Sequence, residues 1–370
     1  MLWKLIVIVV ISLLLIISAE IVSRAYYYDS KGDDIALLRV TSDVSKWIGL
    51  SPSYKLSSVP SPFYKFDLIT GITSTPGKSF LIKFSYGDIE HSFRATINKL
   101  GNRITGTPPN RQSPRGEIWI FGDSYVWSWG NNDEQTFAWI IQENLPRFRV
   151  RNFAQSGWGN VQNLLRLRHW LKSRPLPKNG VAAIVMAHSQ TYSHRNVGAP
   201  SRMMQWKSGP LVANNLMRHP RAWITGKDEL IIDYIPLFID IKNWEAATVF
   251  DPPKEFQNAV TTRIIKEFAR EAKLLGAILI VAYLEGPSGD PVLESVAREA
   301  IVVDIRPPAE QRDDFVIDSH PGPKANRYFA KKLSSVLSEN LLGKWRTSRH
   351  LFVFHHPADP SPSGTRSVCL

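Results

Sequence analysis

A short apolar run, Ile118-Trp119-Ile120-Phe121, ends at Gly122-Asp123-Ser124-Tyr125, and Asp318-Ser319-His320-Pro321 lies far downstream. The first segment puts a hydroxyl at the tip of a buried strand. The second supplies an imidazole and a carboxylate. A serine hydroxyl is a weak nucleophile alone. It needs a base to take its proton and a third group to hold that base in the right tautomer. These residue types fit acyl transfer through a covalent serine intermediate. Ser124 is the candidate nucleophile, His320 the base and Asp318 the orienting carboxylate, with Asp314 as the alternative carboxylate. Asp123 is expected to shape the turn rather than to react.

Phe121-Gly122-Asp123-Ser124-Tyr125 resembles the first block of the SGNH (GDSL-type) hydrolases. It is not the Gly-x-Ser-x-Gly elbow of the α/β-hydrolases, because Val126 stands where the last Gly belongs. Asn152-Phe153-Ala154-Gln155-Ser156-Gly157-Trp158-Gly159 is similar to the second block. The resemblance implies that Gly157 gives its backbone N–H to the oxyanion, where a glycine lets the substrate oxygen approach closely. The third block departs from the family: Gly-x-Asn-Asp is absent, and Ala187-His188-Ser189-Gln190 ends the strand instead. His194-Arg195-Asn196-Val197 comes next and is similar to a segment of membrane-anchored members. The resemblance therefore implies one polar oxyanion donor from the 188–196 loop, with Asn196 placed in that role and Ser189 and His188 as alternatives.

The last block keeps Asp318-x-His320-Pro321, and Ile317 occupies the commoner Asp position. Asn326-Arg327-Tyr328-Phe329-Ala330 is similar to the family's ending, and Ile97-Asn98-Lys99-Leu100-Gly101-Asn102-Arg103 looks like the lead-in of anchored members. The resemblance covers roughly residues 115–342. It implies a flavodoxin-like, three-layer α/β/α fold with a parallel sheet, an ester substrate, and no metal or organic cofactor.

The elements that must position these residues alternate along the chain. Strands are expected at Glu117–Phe121, Arg149–Phe153, Val181–Ala187, Ala277–Leu284 and Ile301–Ile305. Helices are expected at Glu134–Glu143, Val161–Lys172, Glu255–Leu275, Leu293–Ala300 and Lys324–Leu341. Such alternation implies a parallel sheet covered on both faces, with the site at the carboxyl ends of its strands. Leu230–Ile241, carrying Pro236, reads as an inserted strand pair. The chain divides into four regions: 1–28 a membrane anchor or signal, 29–115 a stalk and a small β-rich section packed on the main domain, 116–342 the α/β domain, and 343–370 a flexible basic tail.

Net charge is +12, from 45 Lys+Arg against 33 Asp+Glu, which favours anionic surroundings. No nucleic-acid motif accompanies the charge, so nucleic acid is not expected as a partner. The single Cys369 excludes an intramolecular disulfide. Leu5 to Ala19 is uncharged and aliphatic, flanked by Trp3 and by Tyr26, Tyr27 and Tyr28. It reads as a single-pass anchor, with cleavage near Ala19 as the alternative. In both cases the main domain lies on the periplasmic or extracellular side. Trp127, Trp129 and Trp158 lie in the expected mouth, either stacking on a sugar or acyl chain or simply packing. The function expected is removal of acyl groups, O-acetyl first among them, from an envelope carbohydrate or lipid. The alternatives are an O-acyltransferase on the same triad and a catalytically silent glycan-binding protein.

Overall fold

The computed structural model describes residues 54–86, 89–106, 114–189, 192–200, 218–236, 249–286, 288–308 and 320–349. The expected anchor and stalk up to residue 53, residues 350–370 of the expected 343–370 tail, and both Asp314 and Asp318 lie outside the described residues, while residues 343–349 of that tail continue the closing helix, which runs to Arg349. Among the described residues no helix is long and apolar enough to cross a membrane.

The five predicted strands of the main domain form one parallel sheet. They are β6 (Glu117–Phe121), β7 (Arg149–Asn152), β8 (Val181–Ser189), β11 (Ile278–Glu285) and β12 (Ile301–Asp304), in the spatial order β12-β11-β8-β6-β7. Numbered within this sheet, the order is 2-1-3-4-5, the flavodoxin-like winding. The chain leaves β6 toward β7 but returns past β6 to β8, so a crevice opens between the carboxyl ends of β6 and β8. Ligands of open α/β sheets bind at such a reversal.

Side-chain alternation explains why both faces of the sheet are covered. Ile118, Ile120, Ala183, Val185, Ile280 and Ala282 face helices α2 (Phe137–Asn144) and α7 (Pro323–Arg349). Trp119, Phe121, Ile184, Met186, Leu279 and Val281 face α3 (Asn160–Ser173), α5 (Lys254–Leu274) and α6 (Pro291–Val296). Strands buried on both sides read as continuous apolar runs, as Ile118–Phe121 does, and all five residues of β6 are buried.

The β-rich section shares this core. Strands β1 (Tyr54–Val59), β4 (Lys78–Tyr86) and β5 (Ile89–Ile97) form an antiparallel sheet, and β2 (Tyr64–Asp67) pairs with β3 (Gly71–Ser74). Phe63, Phe80, Phe84 and Phe93 pack in the same cluster as Trp127, Trp129 and Phe329. Isolated bridges join Ile97 to Arg103 and Arg103 to Asn152, so the meander continues onto the outer strand β7. The rest of that outer edge is covered by side chains. Gln142 Oε1 accepts from the Val150 N–H at 2.9 Å, and Thr105 Oγ1 donates to the Val150 carbonyl at 2.8 Å.

The insertion differs from its expectation. The strand pair is β9 (Arg218–Ile224) with β10 (Leu230–Pro236), so the partner of the predicted strand precedes it rather than lying within 230–241. Pro236 sits at the end of β10, where a missing donor is tolerated.

Candidate functional site

Glycine is required at position 122 by space alone. A Cβ there would meet Val126 Cγ2 at 2.1 Å and Ala187 Cβ at 3.1 Å. The strand therefore turns sharply into a one-turn helix α1 (Ser124–Trp127), N-capped by Asp123, which accepts from the Tyr125 N–H at 2.8 Å. Ser128 closes the turn in the left-handed region at φ 61°. Ser124 is the first residue of this turn and 5% exposed. Its hydroxyl donates to Asp123 Oδ2 at 3.4 Å.

The second segment lies against the first. The Phe153 N–H donates to the Ile120 carbonyl at 2.8 Å, and the Gln155 N–H to the Gly122 carbonyl at 3.2 Å. Gly157 comes next with φ +85°, a conformation that glycine adopts freely. Its N–H has no protein acceptor among the described residues. The loop is braced from the β-rich section. Gln155 Oε1 accepts from Ser74 Oγ at 2.8 Å, and Trp158 Nε1 donates to the Ile72 carbonyl at 2.9 Å.

Hydrogen bonds to Pro321 and Gly322 fix the backbone that carries His320. Asn131 Nδ2 donates to the Pro321 carbonyl at 2.7 Å. Asn326 Nδ2 donates to the Gly322 carbonyl at 3.1 Å, while its Oδ1 accepts from Ser128 Oγ at 3.1 Å. The imidazole packs beside Tyr125, with ring centroids 5.4 Å apart, and beside Trp129 at 6.4 Å. The structure thus brings His320 to the residue next to Ser124, without a direct hydrogen bond between the two side chains among the described residues.

Asn196 is the correction. It ends the one-turn helix α4 (Ser193–Asn196) and is fully buried. Its Oδ1 accepts from the Val161 N–H at 3.1 Å and its Nδ2 donates to Thr261 Oγ1 at 2.8 Å. It caps α3 and ties that helix to α5, so its amide is turned toward those two helices. Of the two alternatives, Ser189 Oγ donates to Glu285 Oε2 at 3.3 Å, and His188 Nε2 pairs with Asp290 Oδ2 at 3.2 Å while its buried Nδ1 has no partner among the described residues. The three tryptophans are core rather than mouth: Trp127 is 0%, Trp158 2% and Trp129 5% exposed.

Residues that spacing did not single out surround Asp123. Arg195 Nη1 donates to Asp123 Oδ2 at 2.8 Å and to the Trp158 carbonyl at 2.9 Å. The Tyr192 hydroxyl donates to Asp123 Oδ1. Burial, and then the Asp123 charge, push the Tyr192 phenol well above its ordinary pKa, so it remains a donor. Asp123 shapes the turn, as expected. The signal in the sequence was the Asp itself, since a carboxylate at the end of a buried strand needs a cation, and Arg195 stands in the loop that approaches it.

Two histidines pack around Arg195. His219 Nε2 lies 3.3 Å from the Arg195 carbonyl. Burial lowers His219 to about 4 and His194 to about 3, with the Arg195 charge a further cause for both. A histidine with a depressed folded pKa binds fewer protons than the unfolded chain. Its contribution is therefore complete above about pH 6.5, the usual histidine value, and is lost as pH falls through about 4. For His219 the loss is of order 3 kcal/mol at about 1.4 kcal/mol per unit. Urea unfolding between pH 7.5 and pH 4.5 should show this decline, and His219→Phe should make it shallower, with the His194 part remaining.

No family model and no curated protein matches the chain. Solved structures do. One titled "Crystal Structure of TesA" is 14% identical with a TM-score of 0.37, over 61% of this chain and 99% of that one. A member of the lipolytic protein G-D-S-L family from Veillonella parvula DSM 2008 is 12% identical with a TM-score of 0.36, over 60% of this chain and 97% of its own. A putative lipolytic protein of the G-D-S-L family from Desulfitobacterium hafniense DCB-2 is 11% identical with a TM-score of 0.34, over 60% and 98%.

Proposed function

We propose that this chain is a serine ester hydrolase of the GDSL type. The observation that carries the reading is the meeting, at the β6 end of the crevice, of three separate segments: the Ser124 turn, the Gly157 loop bonded to Gly122, and His320 packed on Tyr125. In this reading His320 takes the Ser124 proton as the hydroxyl attacks an ester carbonyl. The oxyanion that develops is met by the N–H groups of Ser124 and Gly157. Asp318, two residues before His320, orients the imidazole. The acyl-enzyme is then released to water. The hydroxyl must swing from Asp123 toward His320, and such contacts are often long in an empty site.

The substrate class proposed is an O-acylated carbohydrate or lipid of the cell envelope, with O-acetyl as the acyl group. Residues 1–28 would anchor the chain, with its α/β domain on the outer side of the membrane. The hydroxyl's bond to Asp123 favours a second reading, a silent glycan-binding protein. Labelling with a fluorophosphonate probe separates the two. The wild type should label and turn over p-nitrophenyl acetate, and Ser124→Ala should do neither. A wild type that does not label removes the hydrolase reading.

A further inference from the structure

We propose that Arg195 is a positioning residue that aligns the nucleophile turn with the oxyanion loop; this rests on the hydrolase reading above. Arg195 reaches both segments from one nitrogen. Its Nη1 bonds the Asp123 carboxylate, directly behind Ser124, and the Trp158 carbonyl, directly after Gly157. The guanidinium is 7% exposed and Asp123 1%, so the pair is shielded from water, where its geometry is held most firmly.

The carboxylate it grips is fixed at both oxygens. Oδ1 takes the Tyr192 hydroxyl and the Tyr125 N–H, while Oδ2 takes Arg195 and the Ser124 hydroxyl. Moving the guanidinium therefore moves the nucleophile's own hydrogen-bond acceptor and the backbone next to Gly157 together. Oxyanion stabilisation depends on donors standing where the charge will develop, with no rearrangement at the moment of reaction.

A second buried arginine, Arg103, spreads its donors over many acceptors. Arg103 uses Nε, Nη1 and Nη2 to bond Asp133 and four backbone carbonyls. Arg195 by contrast leaves its buried Nε without an acceptor and works from Nη1. The 192–196 segment, which supplies no side-chain oxyanion donor from Asn196, thus supplies the alignment of two backbone donors instead.

The test compares wild type with Arg195→Met and Arg195→Lys, measuring kcat, KM, thermal midpoint and the fraction of sites titrated by the fluorophosphonate probe. Arg195→Met should lower kcat per titrated site by about 10²-fold, the scale of one lost oxyanion donor, with KM within about threefold of wild type. Arg195→Lys keeps the charge beside Asp123 but cannot reproduce the planar fork, and kcat per site should fall at least about tenfold. A role confined to folding would lower the midpoint and the titrated fraction while leaving kcat per site at the wild-type value. That result, in Arg195→Lys alone if the Met variant does not fold, overturns the proposal while the hydrolase reading stands. A wild type that neither titrates nor turns over ester overturns both.

Discussion

Ester turnover is expected to fall by at least about 10⁴-fold in both Ser124→Ala and His320→Ala, and the double variant should be no slower than Ser124→Ala alone. In the proposed mechanism nucleophile and base act as one unit, so removing either removes the same step. The residual rate would come from the oxyanion donors and binding, which stay in place. The stability effects should be small by comparison. Ser124 loses only a hydroxyl with a single long bond to Asp123, a change within about 1 kcal/mol. His320→Ala removes a ring packed on Tyr125 and Trp129, so His320→Gln is the better control for shape. Additive losses in the double variant would show that the two side chains serve different steps, and the proposed pairing would fail.

The largest stability effect is expected at Arg103. Its side chain is fully buried and bonded to Asp133 at 3.1 Å, and it also donates to the carbonyls of Arg94, Trp127, Ser128 and Asn131. The guanidinium lies 4.2 Å from the Trp127 ring centre. Burial lowers its pKa and the Asp133 charge works against that. Arg103→Met leaves Asp133 buried without its cation, which costs about 3–5 kcal/mol. Arg103→Lys should recover little, since one ammonium cannot reach carbonyls on four residues. Urea midpoints would show this directly. Activity should suffer too in the molecules that remain folded. Arg103 holds the 127–131 loop, Asn131 of that loop holds the Pro321 carbonyl, and His320 is the residue before it. An Arg103→Met variant as stable as wild type would show that the four carbonyls find other donors.

Much of this arrangement was legible in the sequence because it was local. The run Glu117–Phe121 had to stop at Gly122, and Asp123 is a natural cap for a helix starting at Ser124. The strands Val181–Ser189 and Ile278–Glu285 read as apolar runs of strand length, and Lys254–Leu274 as an amphipathic helix, each within a residue or two of its observed bounds. Pairings across the chain were not legible. Strand β9 contains His219, Pro220 and Arg221, which hide its alternation, and only its partner Leu230–Pro236 carries the apolar pattern. Asn196 fitted the composition of an oxyanion loop, but spacing does not say which way a side chain leaves a one-turn helix. It leaves inward, toward Val161 and Thr261. Trp127 and Trp158 were placed at the mouth by their nearness to Ser124 and Gly157 in sequence. The packing of Phe63 and Phe93 against Trp127 depends on the fold of the β-rich section.

The treatment of strand β7 has a consequence for how copies of this chain meet. The rim of a sheet ordinarily presents a row of vacant rungs onto which a neighbour's strand can zip, the first step toward fibres. Here Gln142 and Thr105 occupy the rungs at Val150, and Arg103 occupies those at Asn152. That flank is closed to strand exchange, and self-association there would have to proceed through side chains.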